Sequence, residues 1–156
     1  MWSPWVRKEV LAVLTGVLVG CSTTPEPLQM RQFHLRETSV DEDEEEVVRA
    51  EKLYRLHGAV SQQEREERKG HYYTAEWEGP AGTEDLPVRI VLEYRQAATG
   101  SKILRKEQSF PAGRRGRAQF TINGPEYAQG GRVLAWRLRL YRGGDLAATR
   151  KSYLWD

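Results

Sequence analysis

From His71 to the end of the chain, apolar and polar side chains alternate in steps of two. Tyr73, Ala75 and Trp77 alternate with Thr74 and Glu76. Val88, Ile90, Leu92 and Tyr94 alternate with Arg89, Glu93 and Arg95, and Ala118, Phe120 and Ile122 with Arg117, Gln119 and Thr121. Leu134, Trp136, Leu138 and Leu140 form the longest set, with Arg137, Arg139 and Arg142 on its polar side. Each set puts apolar groups on one face of a half-buried strand. Stretches rich in glycine and proline separate the sets, and Gly143-Gly144 reads as a two-residue hairpin turn. Six strands joined by short turns predict an antiparallel β-sandwich over 71–156.

Upstream of Gly70 the period is different. Residues 21–40 hold two prolines and several hydroxyl residues, with little periodicity, and read as an extended, flexible tether. The run "DEDEEE" (41–46) suits a helix N-terminus, where the dipole favours acids. A helix is predicted from Asp43 to His57, closed by Gly58, with Val47, Ala50, Tyr54 and His57 along one side. A calcium loop would need alternating acids around a glycine, which this run lacks. Ser61 and Glu64 have capping-box spacing, so a second, very polar helix is predicted from Gln62 to Lys69. The sandwich is thus preceded by a tether (21–40) and an acidic helical arm (41–70).

The first twenty residues carry a different signal. Arg7 and Lys8 precede an uninterrupted apolar stretch from Val10 to Val19. A membrane-spanning helix needs about 20 apolar residues, and this run has the length of a signal-peptide core. Leu18-Val19-Gly20-Cys21 resembles the lipobox of bacterial lipoproteins. The resemblance implies that residues 1–20 are a signal peptide, that Cys21 takes a diacylglycerol on its sulfur, and that it becomes the mature N-terminus. Cys21 is the only cysteine, and lipidation gives it a reason in an exported chain, where cysteines usually pair. Two or more acyl chains make anchoring effectively permanent. Ser22 stands where an aspartate would retain the lipoprotein at the inner membrane, so the expected location is the outer membrane.

The closing segment "RVLAWRLRLYRGGDLAATRKSYLW" resembles the last hairpin of immunoglobulin-like and fibronectin type III sandwiches, without the paired core cysteines of antibody domains.

Charge divides the mature chain. Residues 22–70 carry 8 basic and 12 acidic residues, net −4, and residues 71–156 carry 14 and 9, net +5. The candidate binding residues are Arg114, Arg115 and Arg117 of "GRRGR", Arg137 and Arg139 of the long strand, and Trp155, which either packs or stacks on a ligand ring. An exported chain rarely meets nucleic acid, so the expected partners are the membrane, through lipid on Cys21, and envelope proteins or anionic envelope polymers. His34, His57 and His71 lack metal-ligand spacing, and no nucleophile motif is present, so no metal, cofactor or catalytic residue is expected. The expected function is a lipid-anchored envelope binding or structural module. The alternatives are an envelope enzyme acting on carbohydrate or cell-wall material, and an assembly partner that docks a strand on an open edge.

Overall fold

The alternation over 71–156 produces six strands, and a seventh comes from upstream. The computed structural model describes residues 26–156. The expected signal peptide (1–20), the stretch 18–21 that resembles a lipobox, and the expected lipidation at Cys21 lie outside the described residues. β1 (Leu28–Leu35), β2 (Gly70–Glu78) and β5 (Arg115–Asn123) form one antiparallel sheet in the order β1-β2-β5. β3 (Val88–Gln96), β4 (Leu104–Phe110), β6 (Val133–Arg142) and β7 (Asp145–Lys151) form the second, in the order β4-β3-β6-β7. The protein is a mainly β, two-sheet antiparallel sandwich.

β1 lies within the segment expected to be a flexible tether. That segment is extended, but it is paired along its length, from Leu28 opposite Trp77 to Leu35 opposite Gly70. Leu28 and Met30 point into the core, and the unpaired edge of β2 supplies the hydrogen bonds. The sandwich therefore starts before the arm, and the arm is an insertion between β1 and β2.

The core forms between the sheets. Tyr73, Ala75, Trp77, Ala118, Phe120 and Ile122 face Val88, Ile90, Leu92, Tyr94, Leu138 and Leu140, and all are buried. Gly116 sits across from Trp77, where an added Cβ would stand 2.3 Å from the indole; a side chain here would displace the ring. At the β6–β7 turn, Gly143 and Gly144 have φ of 57° and 101°. Two positive φ values match the twist of the flanking strands, as type I′ turns require.

The register of β6 differs from the simple alternation. Arg95 pairs with Ala135 and Gln96 with Val133, so Leu134 is left over in a bulge and is 40% exposed. Trp136 packs at the margin of the core, half-buried. Arg142 has the parity of Leu138 and Leu140, so it points inward and is buried, not on the polar face with Arg137 and Arg139.

Helix α1 (Glu46–Leu56) begins at the end of the acidic run, and α2 (Gln62–Glu67) starts with the Ser61–Glu64 capping box. The side of the helix that carries Val47, Ala50, Tyr54 and His57 faces solvent. The helix turns Lys52 and Arg55 inward instead. Lys52 bonds the Ser39 carbonyl and pairs with Glu44, and the Arg55 guanidinium lies 4.5 Å from the Tyr72 ring. A third helix, α3 (Gly124–Gly130), occupies a stretch expected to be a turn, with Pro125 in its first turn.

Candidate functional site

The arginines expected to bind are divided between two surfaces. Arg115 and Arg117 lie on the outer face of the β1-β2-β5 sheet, opposite Glu78 and Glu76. Arg114 and Arg115 both reach Glu78 Oε1, at 2.7 and 3.3 Å. Arg117 Nε donates to Glu76 Oε1 at 2.9 Å, and Arg31 reaches the same oxygen at 2.7 Å. Hydrogen bonds from Arg117 and Arg114 hold the carboxyls of Glu76 and Glu78, respectively, below the usual range. Buried Arg142 anchors this loop, donating to the carbonyls of Gly113 (3.0 Å) and Arg114 (2.7 Å).

Arg137 and Arg139 lie on the outer face of the other sheet. They clamp Glu93 from both sides, at 2.7 Å from Arg137 Nε and 2.5 Å from Arg139 Nη2. Trp155 folds back onto this face and is buried there, with the guanidiniums of Arg95 and Arg137 at 4.8 and 5.0 Å from its ring centre. Its ring is packed beneath cations.

A cleft at the far end of the sandwich brings together residues that the sequence separates. His34 of β1 and His71 of β2 are register partners, and their rings stack 3.8 Å apart, 15° from parallel. His71 Nε2 accepts the Val133 backbone N–H at 3.0 Å, so that nitrogen carries no proton. His34 Nδ1 accepts from Arg36 Nε at 3.1 Å, which leaves its proton on Nε2, 2.7 Å from the Tyr127 hydroxyl. Burial, reinforced by the charges of Arg36 and Arg132, lowers the His34 pKa. Burial first, and then His34, Arg36 and Arg132, push His71 down to about 4. Both rings are therefore neutral at physiological pH.

The cleft is about 510 Å³ in volume and no residue lining it is acidic. Arg36 and Arg132 flank it, both exposed, and neither is ion-paired among the described residues. Trp136 lies in its wall, with Nε1 donating to Gln32 Oε1 at 3.0 Å. Tyr153 stands at its rim, 96% exposed.

Several elements position these groups. The β1–β2 register sets the histidine pair, and α3 carries Tyr127 to His34. Buried Gln96 holds α3 by donating to the carbonyls of Glu126 (3.3 Å) and Gly131 (2.9 Å). Glu126, on the same helix, accepts from the Tyr94 hydroxyl and pairs with Lys106 at 2.7 Å. By sequence His34 falls within the expected tether (21–40), and no metal-ligand spacing joins it to His71. The one signal available was the period of two through Leu28, Met30, Gln32 and His34, weakened by its two polar members.

No family model, no curated protein and no solved structure matches this chain.

Proposed function

We propose that the protein is a lipid-anchored binding module of the cell envelope, held at the outer membrane by acyl chains on Cys21. In this reading the sandwich is of the immunoglobulin-like, fibronectin type III kind. Two observations support that relationship: the first, second and fifth strands share a sheet, and the third, sixth and seventh lie side by side in the other.

The observation that carries the functional reading is a cleft with no acid among the described residues that line it, where Arg36 and Arg132, without an ion-pair partner among those residues, stand beside Trp136 and Tyr153. Open grooves lined by aromatic rings and a few polar groups are the usual form of a ligand site. Its position suits an anchored protein. The chain enters at Glu26, beside β2's Glu78, whose N–H bonds the Pro27 carbonyl at 3.1 Å. β1 then runs away from that end for eight residues, roughly 25 Å, and His34 is near its finish. Glu26 follows Cys21 by five positions, a span of at most ~18 Å. A lipid at Cys21 would hold the entry end near the bilayer and leave the cleft pointing away.

A pulldown from detergent-solubilised envelope tests this. Material retained by the wild type should be lost with the Arg36→Gln, Arg132→Gln double variant and kept when Arg114, Arg115 and Arg117 become serine. The opposite pattern would move binding to the entry-end loop and reject the cleft.

A further inference from the structure

We infer that the cleft between Arg36 and Arg132 takes an anionic sugar, a ring bearing a carboxylate or phosphate and several hydroxyls. This rests on the cleft being the binding surface. Charge selects the sign of the ligand. Arg36 and Arg132 face the cleft from different strands' flanks, no acid lines it, and both lie close enough to act on the same two histidines. Guanidinium forks match carboxylate and phosphate oxygens with two parallel hydrogen bonds. Elsewhere on the sandwich the arginines that face outward near acids are already engaged: Glu76, Glu78 and Glu93 hold Arg31, Arg114, Arg115, Arg117, Arg137 and Arg139.

Ring and hydroxyl contacts select a sugar. Tyr153 offers a ring that is almost wholly in solvent, and Trp136 a half-buried one in the wall. Gln32 spends its oxygen on the Trp136 indole N–H, so its amide N–H₂ remains to donate toward the cleft. Ser152 Oγ accepts the Trp136 backbone N–H at 2.9 Å, and its own proton is available. Two cations, two aromatic faces and two neutral donors make a set suited to a hydroxylated, charged ring. The volume of about 510 Å³ lies within the ~300–1,000 Å³ of small-ligand sites. The position of the cleft, at the end away from chain entry, directs it toward envelope material beyond the anchoring bilayer's headgroups.

Calorimetry and tryptophan fluorescence on the full chain in detergent micelles test the ligand class. The probes are tetragalacturonate, its uncharged methyl ester, glucose 6-phosphate and tetraglutamate. Tetragalacturonate or glucose 6-phosphate should bind, and which of them binds more tightly separates carboxylate from phosphate. For tetragalacturonate, the ester and the Arg36→Gln, Arg132→Gln double variant should each bind at least tenfold more weakly, and Tyr153→Ala should also weaken it. Thermal melts would confirm that these exposed substitutions leave the fold intact. Equal binding of the ester, tetraglutamate binding as tightly as either sugar, unchanged binding by the double variant, or no binding of either charged sugar would overturn the inference. If no charged sugar binds while envelope pulldown still depends on Arg36 and Arg132, the ligand class fails and the binding-module reading stands. If the pulldown is also indifferent to those arginines, both fail.

Discussion

His71 is held neutral by burial, by a stacked histidine and by two nearby arginines, and this has a consequence for stability. Its pKa is about 4 in the folded protein, against 6.5 for the free side chain. Above pH 6.5 both states are neutral and the residue is silent. As pH falls from 6.5 to 4, the unfolded chain takes a proton that the folded protein refuses, so stability falls, and below about 4 the loss is complete. The full shift corresponds to about 3 kcal/mol; because the cleft admits water, the expected loss is nearer ~2 kcal/mol. Melting curves between pH 7 and pH 4 should show the decline, and His71→Gln, which keeps an acceptor for the Val133 N–H, should flatten it. A wild-type profile that is level across this window would contradict the account of the histidine pair. Two residues of β6 give a second test. Leu138 is fully buried, and its change to alanine should cost about 3–4 kcal/mol. Trp136 is only half-buried, and Trp136→Ala should cost less, about 2 kcal/mol, despite the larger side chain removed. Denaturant titration of the two variants would rank them, and the reverse order would place Trp136 deeper than its observed exposure allows.

At the scale of elements, α3 touches the cleft through Tyr127 on His34 and is itself held by Gln96. Gln96→Ala would leave the carbonyls of Glu126 and Gly131 without their buried donor, at a cost of about 1–3 kcal/mol. Hydrogen exchange over 124–131 should quicken more than in the central strands; uniform protection would mean that α3 is held by other contacts. The same elements show what was legible in the sequence. Strands β2, β3, β5 and β6 were readable because each turns an apolar face to the core, which imposes a period of two, and β4 and β7 followed from the turn-rich stretches that bound them. The start of α2 was readable because Ser61 and Glu64 satisfy backbone donors locally. α3 was not: its seven residues begin and end in glycine and contain Pro125, the composition of a turn, and the Gln96 side chain that bonds the carbonyls of Glu126 and Gly131 comes from a distant strand. β1 was not read as a strand because its alternation fades into Gln32 and His34, and only the edge of β2 explains its pairing. Leu134 departed from the pattern because of the bulge opposite Arg95–Gln96, whereas Arg142 follows the parity of Leu138 and Leu140 and finds the carbonyls of Gly113 and Arg114 on the inner side. The cleft was legible least of all, since the facing of His34 and His71 is a property of strand pairing and no local motif encodes it.

Across the whole molecule, arm and sandwich carry opposite net charges, but among the described residues no ion pair crosses between them. In the arm Lys52 pairs with Glu44, Arg55 with Glu51 and Lys69 with Glu66, while the sandwich arginines pair with sandwich glutamates. Contact between the two includes Arg55 on Tyr72, the Tyr72 hydroxyl on the Arg68 carbonyl, and α2 against α3. Because Leu35 and Gly70 are already register partners, the arm is a long connection between adjacent strand ends. Replacing residues 37–68 with a short glycine-rich turn should therefore leave a cooperatively melting sandwich, destabilised by about 1–2 kcal/mol for the lost Tyr72 contacts; non-cooperative melting would make the arm part of the folding unit. A fragment starting at His71, by contrast, lacks β1 and exposes the core faces of β2. The central claim is that the protein is anchored at one end and binds at the other, and a photo-cross-linking side chain in the full chain, placed at position 153 or at position 114 in intact cells, tests it most directly. The account predicts adducts with non-lipid envelope material from position 153 and not from position 114, and adducts from position 114 alone would contradict it.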